Sequence, residues 1–228
     1  MKKMKYAWIL ALSFVTTSAW AQYDIGGGGA FSLGYYAIDN SPLAGLSSTG
    51  TSVSNGAMTF GGNGYFQFDR LVIGAKGYGM VIQDVEDDNY VYSSGGGSFM
   101  VELGFKIWHK DSYSIYPYWG AGFIGYGTTQ SQKGDLDFTT NPNPGLNAQS
   151  YGWSSVAFDV GFRYEQLINP KEFCGQKGGM YLAFEAGYQY TPETRDWKTS
   201  GGGDIKGGPD FSLGAFFAKV SIGGFGGE

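Results

Sequence analysis

Few side chains in this chain could do chemistry, and their spacing already narrows what that chemistry is. There is one imidazole, His109, in 228 residues. It falls in a polar turn, His109-Lys110-Asp111-Ser112, so Ser–His or Asp–His catalysis would have to be built on a turn residue. The one thiol, Cys174, can form no disulfide within the chain and is expected to be free. Asp84, Glu86, Asp87 and Asp88 crowd one polar stretch, a density that suits Ca²⁺ or other bridging divalent ions. The spacing and glycine of an EF-hand are absent there, so a solvated acidic loop is the simpler reading. Asp196, Trp197 and Lys198 suit an adhesive loop tip or, more simply, an ordinary turn. With no glycine-rich phosphate loop and no Cys/His ligand cluster, the sequence predicts no enzyme, no cofactor and no metal site.

The remaining charges are arranged differently. Lys76, Glu102, Lys106, Asp159, Arg163, Glu165, Glu185 and Lys219 each sit in a stretch whose apolar residues recur at every second position. The clearest case is Ser98 to Gly127. Phe99, Val101, Leu103, Phe105 and Ile107 alternate with Ser98, Met100, Glu102, Gly104, Lys106 and Trp108. After the turn at His109, Ile115, Pro117, Trp119, Ala121 and Phe123 alternate with Tyr116, Tyr118, Gly120, Gly122 and Ile124. Period two means a strand with one face in an apolar medium. Strands of about 10 residues are long for a globular sheet and suit a tilted membrane crossing.

Six further strands follow the same rule. They are expected at Ala30 to Ile38, Ala57 to Phe68, Leu71 to Ile82, Ser154 to Leu167, Met180 to Tyr190 and Phe211 to Gly223, with Gly26 to Gly29 as a flexible lead-in. Their apolar stripes carry no charge, whereas the opposite faces carry four cations and four anions, the eight residues named above. A lysine facing lipid at mid-depth costs roughly 2–4 kcal/mol. The charged face therefore points inward, where the balanced set is expected to form a lumen charge network. Inner-face glycines (Gly74, Gly104, Gly120, Gly122, Gly161 and Gly187) make room for it. Trp108, Tyr113, Tyr116, Trp119, Trp153, Tyr164 and Tyr190 are expected to form interfacial girdles.

Connections are expected to alternate between long and short: Asp39 to Gly56, Gln83 to Gly96, Thr128 to Trp153 and Thr191 to Asp210 are long, Asp69-Arg70 is tight, and Asn169 to Gly179 is of medium length. This is the pattern of an eight-stranded antiparallel transmembrane β-barrel, an all-β meander. A count of ten, with an extra hairpin inside Thr128 to Trp153, satisfies the same pattern.

Composition agrees. Forty glycines argue against helices and 18% aromatics argue against disorder. Residues 1–21 have the basic start (Lys2, Lys3, Lys5), short apolar run and Ala19-Trp20-Ala21 end of a secretory signal peptide, leaving 22–228 as one barrel domain. Removing them takes away three lysines and no acid, so the formal charge falls from −5 to −8, which excludes nucleic acid as a partner.

The stretches YPYWGAGFIGYG (Tyr116 to Gly127), FDVGFRYEQL (Phe158 to Leu167) and MYLAFEAGYQY (Met180 to Tyr190) resemble the small outer-membrane barrels of the OmpA/OmpX and OmpW type. That resemblance implies the outer membrane of a Gram-negative-type cell, with outer-membrane lipid and lipopolysaccharide as surroundings. It implies a structural or surface-interaction role through the outside loops, with surface protein partners. The alternative it implies is a narrow porin-like channel of the OmpW kind for small solutes. Such barrels usually end on an aromatic residue, whereas the last aromatic here, Phe225, is followed by Gly226-Gly227-Glu228.

Overall fold

Alternating sequences pair because each strand can bury its polar edge groups only against another strand, and closure leaves no edge unpaired. The computed structural model describes residues 25–39, 55–82, 84–86, 88–110, 112–133, 148–173, 176–192, 197–205 and 214–227. Residues 1–21, read above as a signal peptide, lie outside them, as do Asp87, Asp111, Cys174 and Asp196.

Eight long strands form the barrel: β1 (Ile25–Ala37), β2 (Ala57–Phe68), β3 (Leu71–Val81), β4 (Tyr90–Phe105), β5 (Tyr113–Gln132), β6 (Ala148–Phe173), β7 (Gln176–Tyr190) and β8 (Ala215–Gly227). Each pairs antiparallel with the next, and β8 returns to β1 from Gly26↔Gly227 to Ala37↔Phe216. The fold is a closed eight-stranded meander. Ten strands are not needed: Thr128–Gln132 and Ala148–Trp153 lengthen β5 and β6 instead of forming a further hairpin.

One end of the barrel carries the tight connections. Asp69-Arg70 joins β2 to β3, with Asp69 at φ 53°, a left-handed conformation that aspartate tolerates. The connection read as medium shrinks to residues 174–175, because β6 runs to Phe173 and β7 resumes at Gln176. A register shift between Ile168 and Lys171 marks the place where Pro170 has no N–H for the ladder. The opposite end carries the long connections.

The faces follow the predicted alternation. Outward side chains include Phe66, Phe123, Val160, Phe162 and Phe216, all at least half exposed, and the outward positions between the rims carry no Asp, Glu, Lys or Arg. An 11-residue strand such as β3 rises about 33 Å, and a tilt near 40° brings that to roughly 25 Å, the height of an apolar membrane belt.

Several boundaries differ from the sequence reading. Gly26 to Gly29 are not a lead-in but part of β1, paired on both sides. Strand β4 begins at Tyr90, inside the stretch read as loop, and β8 extends to Gly227. Beyond the rim β4, β5 and β6 continue as a sheet, to which Val85–Glu86 adds on one side and Trp197–Thr199 on the other. Residues there such as Ser93, Ser94, Thr128, Thr129 and Ser150 are polar on adjacent positions, which removes the alternation that marks a strand in lipid.

Candidate functional site: the barrel interior

All eight charges expected inside are buried, from Arg163 at 2% exposed to Glu165 at 6%. Their ion pairs join six of the eight. Six gather at mid-height: Lys76 from β3, Glu102 from β4, Asp159 and Arg163 from β6, Glu185 from β7 and Lys219 from β8. Lys106 and Glu165 lie toward the turn end, outside this group's ion pairs, and Glu165 is linked to Arg163 through the Tyr116 hydroxyl, which accepts from Arg163 Nη1 at 3.3 Å.

Glu185 is the hub. Its Oε2 accepts from Arg163 Nη2 at 2.6 Å and Nε at 3.0 Å, while Oε1 accepts from Lys76 Nζ at 2.9 Å and the Tyr118 hydroxyl at 2.7 Å. Arg163 Nη2 also donates to Glu102 Oε2 at 2.8 Å. Lys76 pairs with the Glu102 carboxylate and lies 2.6 Å from Asp159 Oδ2. Three cations against three anions leave the group neutral, which is what burial demands.

Lys219 is held differently. Its Nζ is 3.6 Å from Glu185 Oε1 and 3.9 Å from the centre of the Tyr78 ring, with the rings of Phe217 and Tyr36 at 4.7 and 5.2 Å. The ammonium is stabilised mainly by aromatic faces.

Space for these long side chains comes from residues without any. Gly120 faces Asp159 across the β5–β6 ladder, and a Cβ there would land on the Asp159 carboxylate. Gly34 does the same for Lys219, whose Cγ lies next to that site.

Toward the long-loop end the interior turns apolar. Tyr36 stacks on Phe217, its hydroxyl bonds that of Tyr78, and Tyr78 donates to Gln189 Oε1 at 2.6 Å. Above them Tyr126 packs against Trp153 and, edge-on, against Trp197, with Ile38, Ile82 and Ile124 buried in the same core. Trp153 and Tyr116, expected in the girdles, are therefore inside, at 5% and 1% exposed. Both occupy inward positions of the alternation. Trp108, Trp119 and Tyr190 do face outward, and Trp108 lies past the end of β4, so it does not share the inner face with Lys106. Trp197 is buried in this core and not at an exposed tip.

Toward the turn end Glu165 accepts from Tyr116 at 2.6 Å, with the Tyr65 and Ser114 hydroxyls at 3.4 and 3.5 Å. Lys106 donates to Gln67 Oε1 at 2.6 Å. His109 is exposed at this end, in a short strand from Trp108 to Lys110 that pairs with the start of β5. Phe225 points inward onto Tyr65 and not toward lipid. In the acidic stretch Glu86 pairs with Lys133 at 2.7 Å, and no group of three metal-ligating side chains occurs among the described residues.

Sequence reasoning missed the aromatic plug and the division of the charges. The signal for the first was present, since Tyr36, Tyr78, Tyr126 and Trp153 all fall on inward positions.

No protein-family model and no curated protein sequence matches the chain. Solved structures do resemble it. Ail, the attachment invasion locus protein of Yersinia pestis, is 13% identical over 90% of this chain and 98% of its own, with a TM-score of 0.45. Neisserial surface protein A is 10% identical over 89% and 95%, with a TM-score of 0.41. A major outer membrane protein from Thermus thermophilus is 8% identical over 89% and 99%, with a TM-score of 0.49. By its own closed ladder, apolar exterior and charged interior, the chain has the fold of a small eight-stranded transmembrane β-barrel.

Proposed function

We propose that the chain is an integral outer-membrane barrel that acts at the cell surface through its long-loop end, with a lumen closed by its own side chains. In this reading residues 1–21 direct export and are removed, outer-membrane lipid and lipopolysaccharide surround the belt, and surface partners meet the loops. The observation that carries the closed lumen is the continuity of the filling. An aromatic layer at Tyr126 and Trp153, the neutral charge cluster around Glu185, and Glu165 with its tyrosines follow one another along the axis. Eight strands leave an interior that side chains can fill. A narrow channel for small solutes would require these layers to part.

Orientation is tested by labelling intact cells with a membrane-impermeant maleimide in a Cys174→Ser background. Ser200→Cys, exposed at the long-loop end, is expected to react in intact cells. Lys110→Cys, exposed at the turn end, is expected to react only after the outer membrane is permeabilised. The reverse pattern, or recovery of the protein in the soluble fraction, would overturn the proposal.

A further inference from the structure

The turn end holds the two charges that the central cluster leaves out, and a cavity of about 60 Å³ lies between them. Lys106, 4% exposed, has the Gln67 amide oxygen as its hydrogen-bond partner, and no described carboxylate comes within ion-pair distance. Glu165, 6% exposed, is held by the hydroxyls of Tyr116, Tyr65 and Ser114, and no described cation pairs with it. Both line the same cavity, with Lys110 at its mouth. Arg163 reaches Glu165 only through the Tyr116 hydroxyl, to which its Nη1 donates at 3.3 Å. The cavity is thus lined by a buried cation and a buried anion that each touch only neutral groups directly and are electrostatically incomplete. What completes both at once carries a carboxylate and an ammonium a few ångströms apart. The volume fits: about 60 Å³ is roughly four water-sized positions.

We propose that this cavity binds a small zwitterion, an α-amino acid with little or no side chain. Its carboxylate meets Lys106 and Lys110, and its ammonium meets Glu165. The site opens at the turn end and is independent of whether the lumen conducts. Leu167 and Phe225 line the cavity without adding charge, and its volume of about 60 Å³ suits a ligand with little or no side chain.

The test is calorimetric titration of the refolded full chain in detergent micelles with glycine. Acetate and methylammonium serve as single-charge comparisons. Glycine is expected to saturate at one site, with acetate and methylammonium each at least about tenfold weaker, the loss of one charge-assisted contact. Lys106→Met and Glu165→Gln should each weaken glycine by a similar factor, and Lys110→Gln, an exposed position, should weaken it without disturbing the fold. Lys198→Gln at the far end should change nothing. Heat-modifiable gel migration identifies any variant that fails to fold. Absence of saturable glycine binding by the wild-type chain, meaning the cavity holds water only, would overturn the proposal. So would acetate binding as tightly as glycine, or binding that survives both Lys106→Met and Lys110→Gln.

Discussion

Arg163 and Glu185 face each other across the β6–β7 ladder, and two nitrogens of the guanidinium, Nε and Nη2, donate to the same carboxylate oxygen at 3.0 and 2.6 Å. Glu185 is thus fixed by a register pair, and its other oxygen is free to take Lys76. Removing one member of a buried pair leaves an uncompensated charge, which costs about 3–5 kcal/mol. Glu185→Gln and Arg163→Met should each lower the stability of the refolded barrel by that order, measured by urea unfolding in vesicles. The double variant should cost clearly less than the sum. Full additivity would mean that the two side chains act independently.

Lys76 and Lys219 are both buried cations in the same cluster, yet their surroundings differ. Lys76 is within 3 Å of carboxylate oxygens from Asp159 and Glu185, while Lys219 sits against three rings and 3.6 Å from its only described carboxylate partner. Lys76→Met should therefore be severely destabilising, and Lys219→Met, which keeps the packing on Tyr36, Tyr78 and Phe217, much less so. Equal losses in the same unfolding assay would contradict the division.

How far the sequence could be read depends on what sets each feature. The two faces were legible because period-two alternation is a local property, visible at Phe99 to Ile107 without any partner. The strand ends were not. Ser93, Thr129 and Ser150 stand beyond the belt, where both faces meet polar surroundings, and their strands are defined by ladder bonds alone. Gly26 to Gly29 read as a lead-in because glycine carries no facial pattern. The eight charges could be assigned inward one by one. That Glu102 meets Arg163, 61 positions away, while Lys106 meets neither, depends on register and barrel stagger, which no single stretch encodes.

Strand glycines are a steric requirement at some positions, such as the inward Gly122, and not at others, such as the outward Gly224. A Cβ at Gly122 would run into the backbone oxygen of Phe99 on β4, which cannot move without parting the strands, whereas a Cβ at Gly224 meets nothing within 4 Å. Gly122→Ala should destabilise the barrel by about 1–3 kcal/mol, in the range of overpacking, and Gly224→Ala should stay within about 0.5 kcal/mol. Unfolding titrations of both, run side by side, check the contrast.

The belt makes its own prediction. Val160, outward and 58% exposed midway along β6, lies opposite Trp119 and Tyr188. Val160→Arg should cost about 2–4 kcal/mol in a bilayer, and Ser93→Arg, beyond the rim, about 0–1 kcal/mol. A tolerated arginine at 160 in vesicles would mean that this face does not meet lipid.

The closed lumen is tested most directly by single-channel recording of the refolded protein in a planar bilayer, wild type beside Glu102→Ala and Arg163→Ala. The side-chain filling predicts a silent wild type, and variants that are less stable without becoming ion-selective pores. Steady wild-type openings whose ion preference shifts with either substitution would contradict it, and would make the charges around Glu185 the filter of a narrow channel.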